Sequence, residues 1–223
     1  MSWRLHAEEL FNKYFQGRDL SKLNSIYMFG VYTGESVWDV VNILNRAKKD
    51  VSYFLFDSFV GLPEEKKEAI AQECWNEGDF STAKALEASS VEDAMSKVEA
   101  IIKKNCSVEK LSMIPGFFCD SLTEDLIEKK CMGPALYVDI DVDLYSSTID
   151  SLDWMFRNNL IVPGTIIGYD DWGGTPGWFV NADGESRAHK ELCKKYKVDT
   201  LKVFQAGSRF PHVHTMFLVR SVG

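Results

Sequence analysis

Two apolar runs of this chain end in clustered carboxylates: Ala135-Leu-Tyr-Val-Asp-Ile-Asp-Val-Asp143, continuing to Thr148, and Gly164-Thr-Ile-Ile-Gly-Tyr-Asp-Asp-Trp172. An ionised carboxylate carried into a core is costly unless a partner compensates its charge. A fold that takes both runs as strands must therefore bring their acidic ends to a place where a cation, a proton or water can reach them. Open parallel sheets have such a place, because ligands collect outside the carboxyl ends of the strands. Asp139, Asp141 and Asp143 alternate with Ile140 and Val142, so in a strand that reaches Asp143 all three leave on one face. Asp170 and Asp171 are adjacent and repel each other unless a cation or a shared proton intervenes. The donors are all oxygens, which points to a hard cation such as Mg²⁺ whose shell is completed by water or substrate. Asp143 has a second reading, as a cap of the following helix, since Ser147 and Asp150 resemble a capping box.

The rest of the chain alternates apolar runs with amphipathic stretches, the pattern of β-α units around a parallel sheet. Strands are expected at Ser25–Val31, Val51–Phe56 and Leu111–Ile114 besides the two acidic runs. Helices are expected over Glu35–Leu44, Val91–Lys104, Thr123–Lys130, Ser147–Asn159 and from Gly184 to Lys197. Thr200–Phe204 and Val213–Val219 read as two final strands. The connection between them is too short for a parallel crossover, so they should pair antiparallel. A polar excursion of about 61–90 is longer than ordinary loops of about 12 to 15 residues and reads as a lid, with Trp75 and Phe80 as its aromatics.

Composition narrows the class. With 33 Asp and Glu against 25 Lys and Arg, a net charge of -8 leaves no cationic surface for a phosphate backbone, so nucleic acid is not expected as a partner. Five scattered cysteines without a C-x-x-C pair suggest reduced thiols rather than a disulfide framework. The first residues carry charges where a signal peptide needs an apolar stretch, and no run approaches a membrane span. A single domain over residues 1–223, cytoplasmic and free of membranes, is the expectation.

Phe29-Gly-Val-Tyr-Thr-Gly-Glu-Ser36 joins the first strand to the first helix, where Rossmann-like sheets hold a nucleotide-like ligand. Asp57 ends the second strand, where a carboxylate can accept two hydrogen bonds from ribose hydroxyls; it equally suits a turn. His6, His189, His212 and His214 are read as surface or packing residues.

With these residues in place, the chain resembles the macrocin O-methyltransferase family of S-adenosylmethionine-dependent enzymes. The resemblance rests on Gly30–Ser36, Phe56-Asp-Ser-Phe-Val-Gly-Leu-Pro63, Gly116-Phe-Phe-Cys-Asp-Ser-Leu122, Ile140–Thr148, Tyr169-Asp-Asp-Trp172 and Gly184-Glu-Ser-Arg-Ala188. It implies a Rossmann-like three-layer α/β/α sandwich with a mostly parallel seven-stranded sheet and a C-terminal antiparallel hairpin. It also implies that Gly30, Val31, Tyr32, Gly34 and Ser36 hold the methionine part of S-adenosylmethionine, Asp57 with Ser58 and Phe59 the ribose, and Asp120 and Ser121 the adenine end. Asp139 is expected to border the sulfonium or to be buried with a partner. Asp141, Asp170 and Asp171 would ligate Mg²⁺ or another hard divalent cation, with Asp141 also the catalytic base toward a hydroxyl of a small polar acceptor, a sugar or another natural-product intermediate. A homo-oligomer is compatible with the family. In one departure, Met28 stands where the family carries an acidic residue before the phenylalanine. Two other readings stay open: a metal-dependent glycosyl or phosphoryl transferase built on Asp141-Val-Asp143, and a non-catalytic cofactor-binding relative.

Overall fold

The alternation of side chains along the central strands sets the layers. In the computed structural model, which describes residues 13, 22–46, 50–65, 75–172, 184–207 and 213–223, β1 (Ser25–Phe29) and β2 (Ser52–Asp57) are buried on both faces. Ile26, Met28, Tyr53 and Leu55 point to one core, and Tyr27, Phe29, Phe54 and Phe56 to the other. Such continuous apolar runs belong to parallel strands covered on both sides.

Helices α1 (Glu35–Arg46) and α3 (Val91–Asn105) cover the first face; α2 (Thr82–Ala85) is a single turn between them in the chain. After β3 (Leu111–Pro115) and the short α4 (Phe118–Ser121), the second face is covered by α5 (Asp125–Lys130), α6 (Tyr145–Arg157) and α7 (Gly184–Lys195). The helices carry ordinary termini: Glu35 opens α1 and Arg46 closes it, and Ser90 Oγ accepts the Asp93 N–H to cap α3.

With β4 (Ala135–Ile140), β5 (Ile166–Tyr169), β6 (Asp199–Gly207) and β7 (Val213–Ser221), the seven strands lie in the order β3-β2-β1-β4-β5-β7-β6. The first five are parallel, and β7 pairs antiparallel with both β5 and β6. This is the expected Rossmann-like three-layer arrangement with its antiparallel hairpin. Chain order reverses between β1 and β4, so the crevice of the sheet opens there. Gly30 ends β1 at φ +83°, and a Cβ on it would lie 1.8 Å from the Asp141 carbonyl oxygen. Only glycine allows the two strand ends to come this close. Among the described residues no helix is long and apolar enough to cross a membrane.

Two expectations need correction. β4 stops at Ile140, so Asp141 and Asp143 are not strand residues and the three aspartates do not share one strand face. Asp143 does not cap α6 either, and Ser147 with Asp150 forms no capping box: the N-cap is Leu144, without a side-chain hydrogen bond. Asp143 instead takes a left-handed conformation at φ 59°, which turns the chain between strand and helix.

Asp139, fully buried in β4, accepts the Tyr137 hydroxyl at 2.6 Å. Gly168, its register partner on β5, leaves the room: a Cβ there would meet that hydroxyl at 2.3 Å. Replacing Gly168 by Ala should push Tyr137 off Asp139 and cost about 1–3 kcal/mol, measured by urea denaturation.

Candidate active site

Past β1, β3, β4 and β5 the ladder runs on by one residue. The N–H groups of Gly116, Gly30, Asp141 and Asp170 bond at 3.0 Å to Asp57, Phe56, Phe29 and Ile140 carbonyls on the neighbouring strands. These residues, with Asp57, form a row along the carboxyl edge of the sheet and line a cavity of about 470 Å³. The acidic half of the row is set by β4 and β5; the glycine half by β1, β2 and β3.

On the acidic side, Asp141, Asp170 and Asp171 each offer an oxygen within 4.8 Å of the others. Asp143, also on the cavity, lies against Asp171; desolvation first, then the charges of Asp171, Asp141 and Asp170, hold its carboxyl well above the ordinary carboxylate range. Glu185 in the first turn of α7 is fully buried, with Oε2 accepting the Asp171 N–H at 3.0 Å. Burial, then Asp171, Asp141, Asp170 and Asp143, push this carboxyl well up as well. Five carboxyl groups thus crowd one corner, and His214 on β7 brings Nδ1 to 3.1 Å from Asp170 Oδ1. An oxygen-only donor set of three convergent carboxylates fits a hard divalent cation.

Two of these residues were absent from the expected site. Glu185 falls on one stripe of α7 with Ala188, His189 and Leu192, all buried, so an acid on the core-facing stripe of a helix was its signal. His214 lies one step beyond the register pair Tyr169–Thr215, opposite Asp170, which only the antiparallel pairing reveals. His189 packs among Tyr169, Trp172 and Phe217 and takes the Tyr169 hydroxyl at Nδ1, and burial lowers its pKa to about 4. His6 and His212 lie outside the described residues.

The cofactor-side residues divide. Gly30, Val31, Tyr32, Ser36, Asp57 and Ser58 line the cavity, together with Gly61, Leu62, Pro63 and Phe80 of the long excursion. The Leu62 N–H donates to the Asp79 carbonyl and the Gly78 N–H to the Leu62 carbonyl, which closes the two described arms of that excursion on each other. Trp75 is half-buried but outside the lining. Gly34 faces Ile102 and Val98 of α3 instead, and Phe59 is a fully buried core residue. Asp120 is exposed and Ser121 turns back to the Gly116 carbonyl; within that stretch Gly116, Phe117 and Phe118 line the cavity. Asp139 is off the lining, engaged by Tyr137, and Met28, its register partner on β1, is core. Asp57 Oδ2 accepts the Val31 and Tyr32 N–H groups at 2.7 and 2.9 Å, and Oδ1 that of Phe59 at 2.6 Å. Of roughly four acceptor sites on a carboxylate, one remains for a ligand hydroxyl, rather than the two expected.

The family model for macrocin-O-methyltransferase (TylF) matches residues 25–205. Among solved structures, the calicheamicin methyltransferase CalS11 is similar at 15% identity and a TM-score of 0.67, over 96% of this chain and 77% of that one. The O-methyltransferase NovP is similar at 20% identity and a TM-score of 0.64, over 98% and 79%. An O-methyltransferase from Bacillus cereus in complex with SAH is similar at 16% identity and a TM-score of 0.54, over 98% and 80%. These likenesses show a shared fold. No curated protein matches the chain in sequence.

Because Asp143 and Glu185 hold protons more tightly folded than unfolded, the stability they supply is complete below the unfolded values and is lost as pH rises through the folded ones. A cation in place of those protons removes the loss. The gain in thermal midpoint from saturating Mg²⁺ over EDTA should therefore grow from about pH 5 to about pH 8 in a differential scanning experiment.

Proposed function

This chain belongs to the macrocin-O-methyltransferase family, and from that premise we propose that it methylates a hydroxyl of a natural-product sugar held beside a divalent cation. Membership replaces the glycosyl- or phosphoryl-transfer reading, and the enzyme is an S-adenosylmethionine-dependent methyltransferase. The observation that carries the reading is that one cavity has the β1–α1 turn and Asp57 on one side and Asp141, Asp143 and Asp170 on the other. The likeness to CalS11, a TDP-rhamnose 3'-O-methyltransferase, supports a sugar as the acceptor class.

S-adenosylmethionine supplies a methyl group already activated on a sulfonium, which leaves alignment and removal of one proton to the protein. Gly30, Val31, Tyr32 and Ser36 would bind its methionine part, and Asp57 Oδ1 one ribose hydroxyl. Asp141, Asp170 and Asp171 would hold Mg²⁺ or another hard divalent cation, which when bound orients neighbouring acceptor oxygens and lowers the pKa of a hydroxyl. Glycine at position 30 keeps these two halves close, since it permits the contact of β1 with the Asp141 main chain.

The expectation that Asp141 is both ligand and base divides between two residues. A carboxylate oxygen committed to a cation loses basicity. Asp143 lines the same cavity, stands outside the three-carboxylate group and is turned by its left-handed backbone. It would take the hydroxyl proton on its carboxylate once a bound cation has displaced the proton that burial and the neighbouring aspartates favour there. Leu62, Pro63 and Phe80 cover the cavity and exclude water from the acceptor.

Purified protein with S-adenosylmethionine, Mg²⁺ and a panel of free and nucleotide-linked deoxysugars should form S-adenosylhomocysteine and a sugar methyl ether, detected by mass spectrometry. Asp143→Asn should lower kcat by about 10²–10⁴-fold with cofactor and Mn²⁺ binding kept. Asp141→Asn should lose Mn²⁺ binding as well. Full activity in Asp143→Asn would return the proton to another group, and methyl transfer undiminished in excess EDTA would remove the cation.

A further inference from the structure

Glu185 has no solvent exposure, and among the described residues only one of its oxygens is used: Oε2 takes the Asp171 N–H, while Oε1 has no hydrogen-bond partner there. Its setting is built for close approach. Gly184, just before it, lacks the Cβ that would lie 3.1 Å from the Asp143 carbonyl oxygen and 3.2 Å from the Tyr145 nitrogen, so α7 starts pressed against the loop that carries Asp143. Asp171, whose N–H it accepts, belongs to the group of three carboxylates, so Glu185 sets a further buried acid against them. A glutamine or methionine would fill the same space without that repulsion. A buried carboxylate held on the main chain of one of three convergent carboxylates makes chemical sense when a cation sits among them.

We propose that Glu185 tunes the cation site from just outside its three ligands: Oε2 fixes the main chain of Asp171, and the carboxylate charge adds to the field at the ion. The inference rests on the cation part of the proposed function. Asp170 and Asp171 are then held from two sides, by the β4 ladder through the Asp170 N–H and by α7 through the Asp171 N–H. The added negative charge raises the affinity of the site for divalent ions, since charge count among the ligands tunes such sites.

Mn²⁺ titration followed by electron paramagnetic resonance tests this on the full chain, with S-adenosylhomocysteine-induced thermal shift as a control for the intact fold. Glu185→Gln keeps an oxygen for the Asp171 N–H and should weaken Mn²⁺ binding about 10–100-fold with the cofactor shift unchanged. The metal-free variant should melt no lower than the wild type, because the amide oxygen keeps the Asp171 N–H bond and leaves no ionisable group to desolvate. Glu185→Met, uncharged and of similar length, gives the same readout should Glu185→Gln fail to fold. Wild-type Mn²⁺ affinity in either variant overturns the role of Glu185 and leaves the cation site standing. A wild-type protein that binds no Mn²⁺ overturns both.

Discussion

The structure turns on electrostatic repulsion held in place by main-chain hydrogen bonds. Asp141, Asp143, Asp170, Asp171 and Glu185 come together because the β-ladder continues past the strand ends and because α7 is pressed on the α6 loop through Gly184. Apart from the Asp171 N–H bond to Glu185, these residues gain nothing from one another. Packing elsewhere overcomes their repulsion: two apolar cores, one on each face of the sheet, fix strand ends that would otherwise separate. Under the proposed function, a cluster so placed is a receptor for positive charge assembled before the charge arrives.

The same edge of the sheet explains why the two halves of the cavity differ. On the β1–β3 side the strand ends carry Gly30, Asp57 and Gly116, and the Asp57 carboxylate is largely consumed in shaping the turn after β1. That side is built to admit a ligand close to the main chain. On the β4–β5 side each strand end carries a carboxylate, which is the side the proposed function assigns to an ion. The reversal of chain order between β1 and β4 makes the boundary, and the Gly30–Asp141 contact sets its width.

Much of this was legible in the sequence, for physical reasons. Parallel strands buried on both faces are continuous apolar runs, so β1, β2, β4 and β5 announced themselves, and the amphipathic stretches between them supplied the helices. Asp141, Asp170 and Asp171 were legible because carboxylates at the ends of such runs demand compensation. The turn at Asp143 was not, because alternation of aspartates with apolar residues looks the same in a strand and in a chain that leaves the sheet after Ile140. Glu185 and His214 depended on tertiary placement: one on a helix distant in sequence from Asp171, the other on a strand whose partner only antiparallel pairing identifies. The placements of Gly34, Phe59, Asp120 and Ser121 followed from side-chain direction, which motif spacing does not encode.

The central claim is that this crowding of carboxylates is a cation site. The most direct measurement is diffraction from crystals grown with Mn²⁺ and S-adenosylhomocysteine, with anomalous differences collected at the manganese edge. An anomalous peak within bonding distance of Asp141, Asp170 and Asp171 is the predicted result. Full-occupancy cofactor density in the same cavity with no anomalous peak at those carboxylates would contradict it.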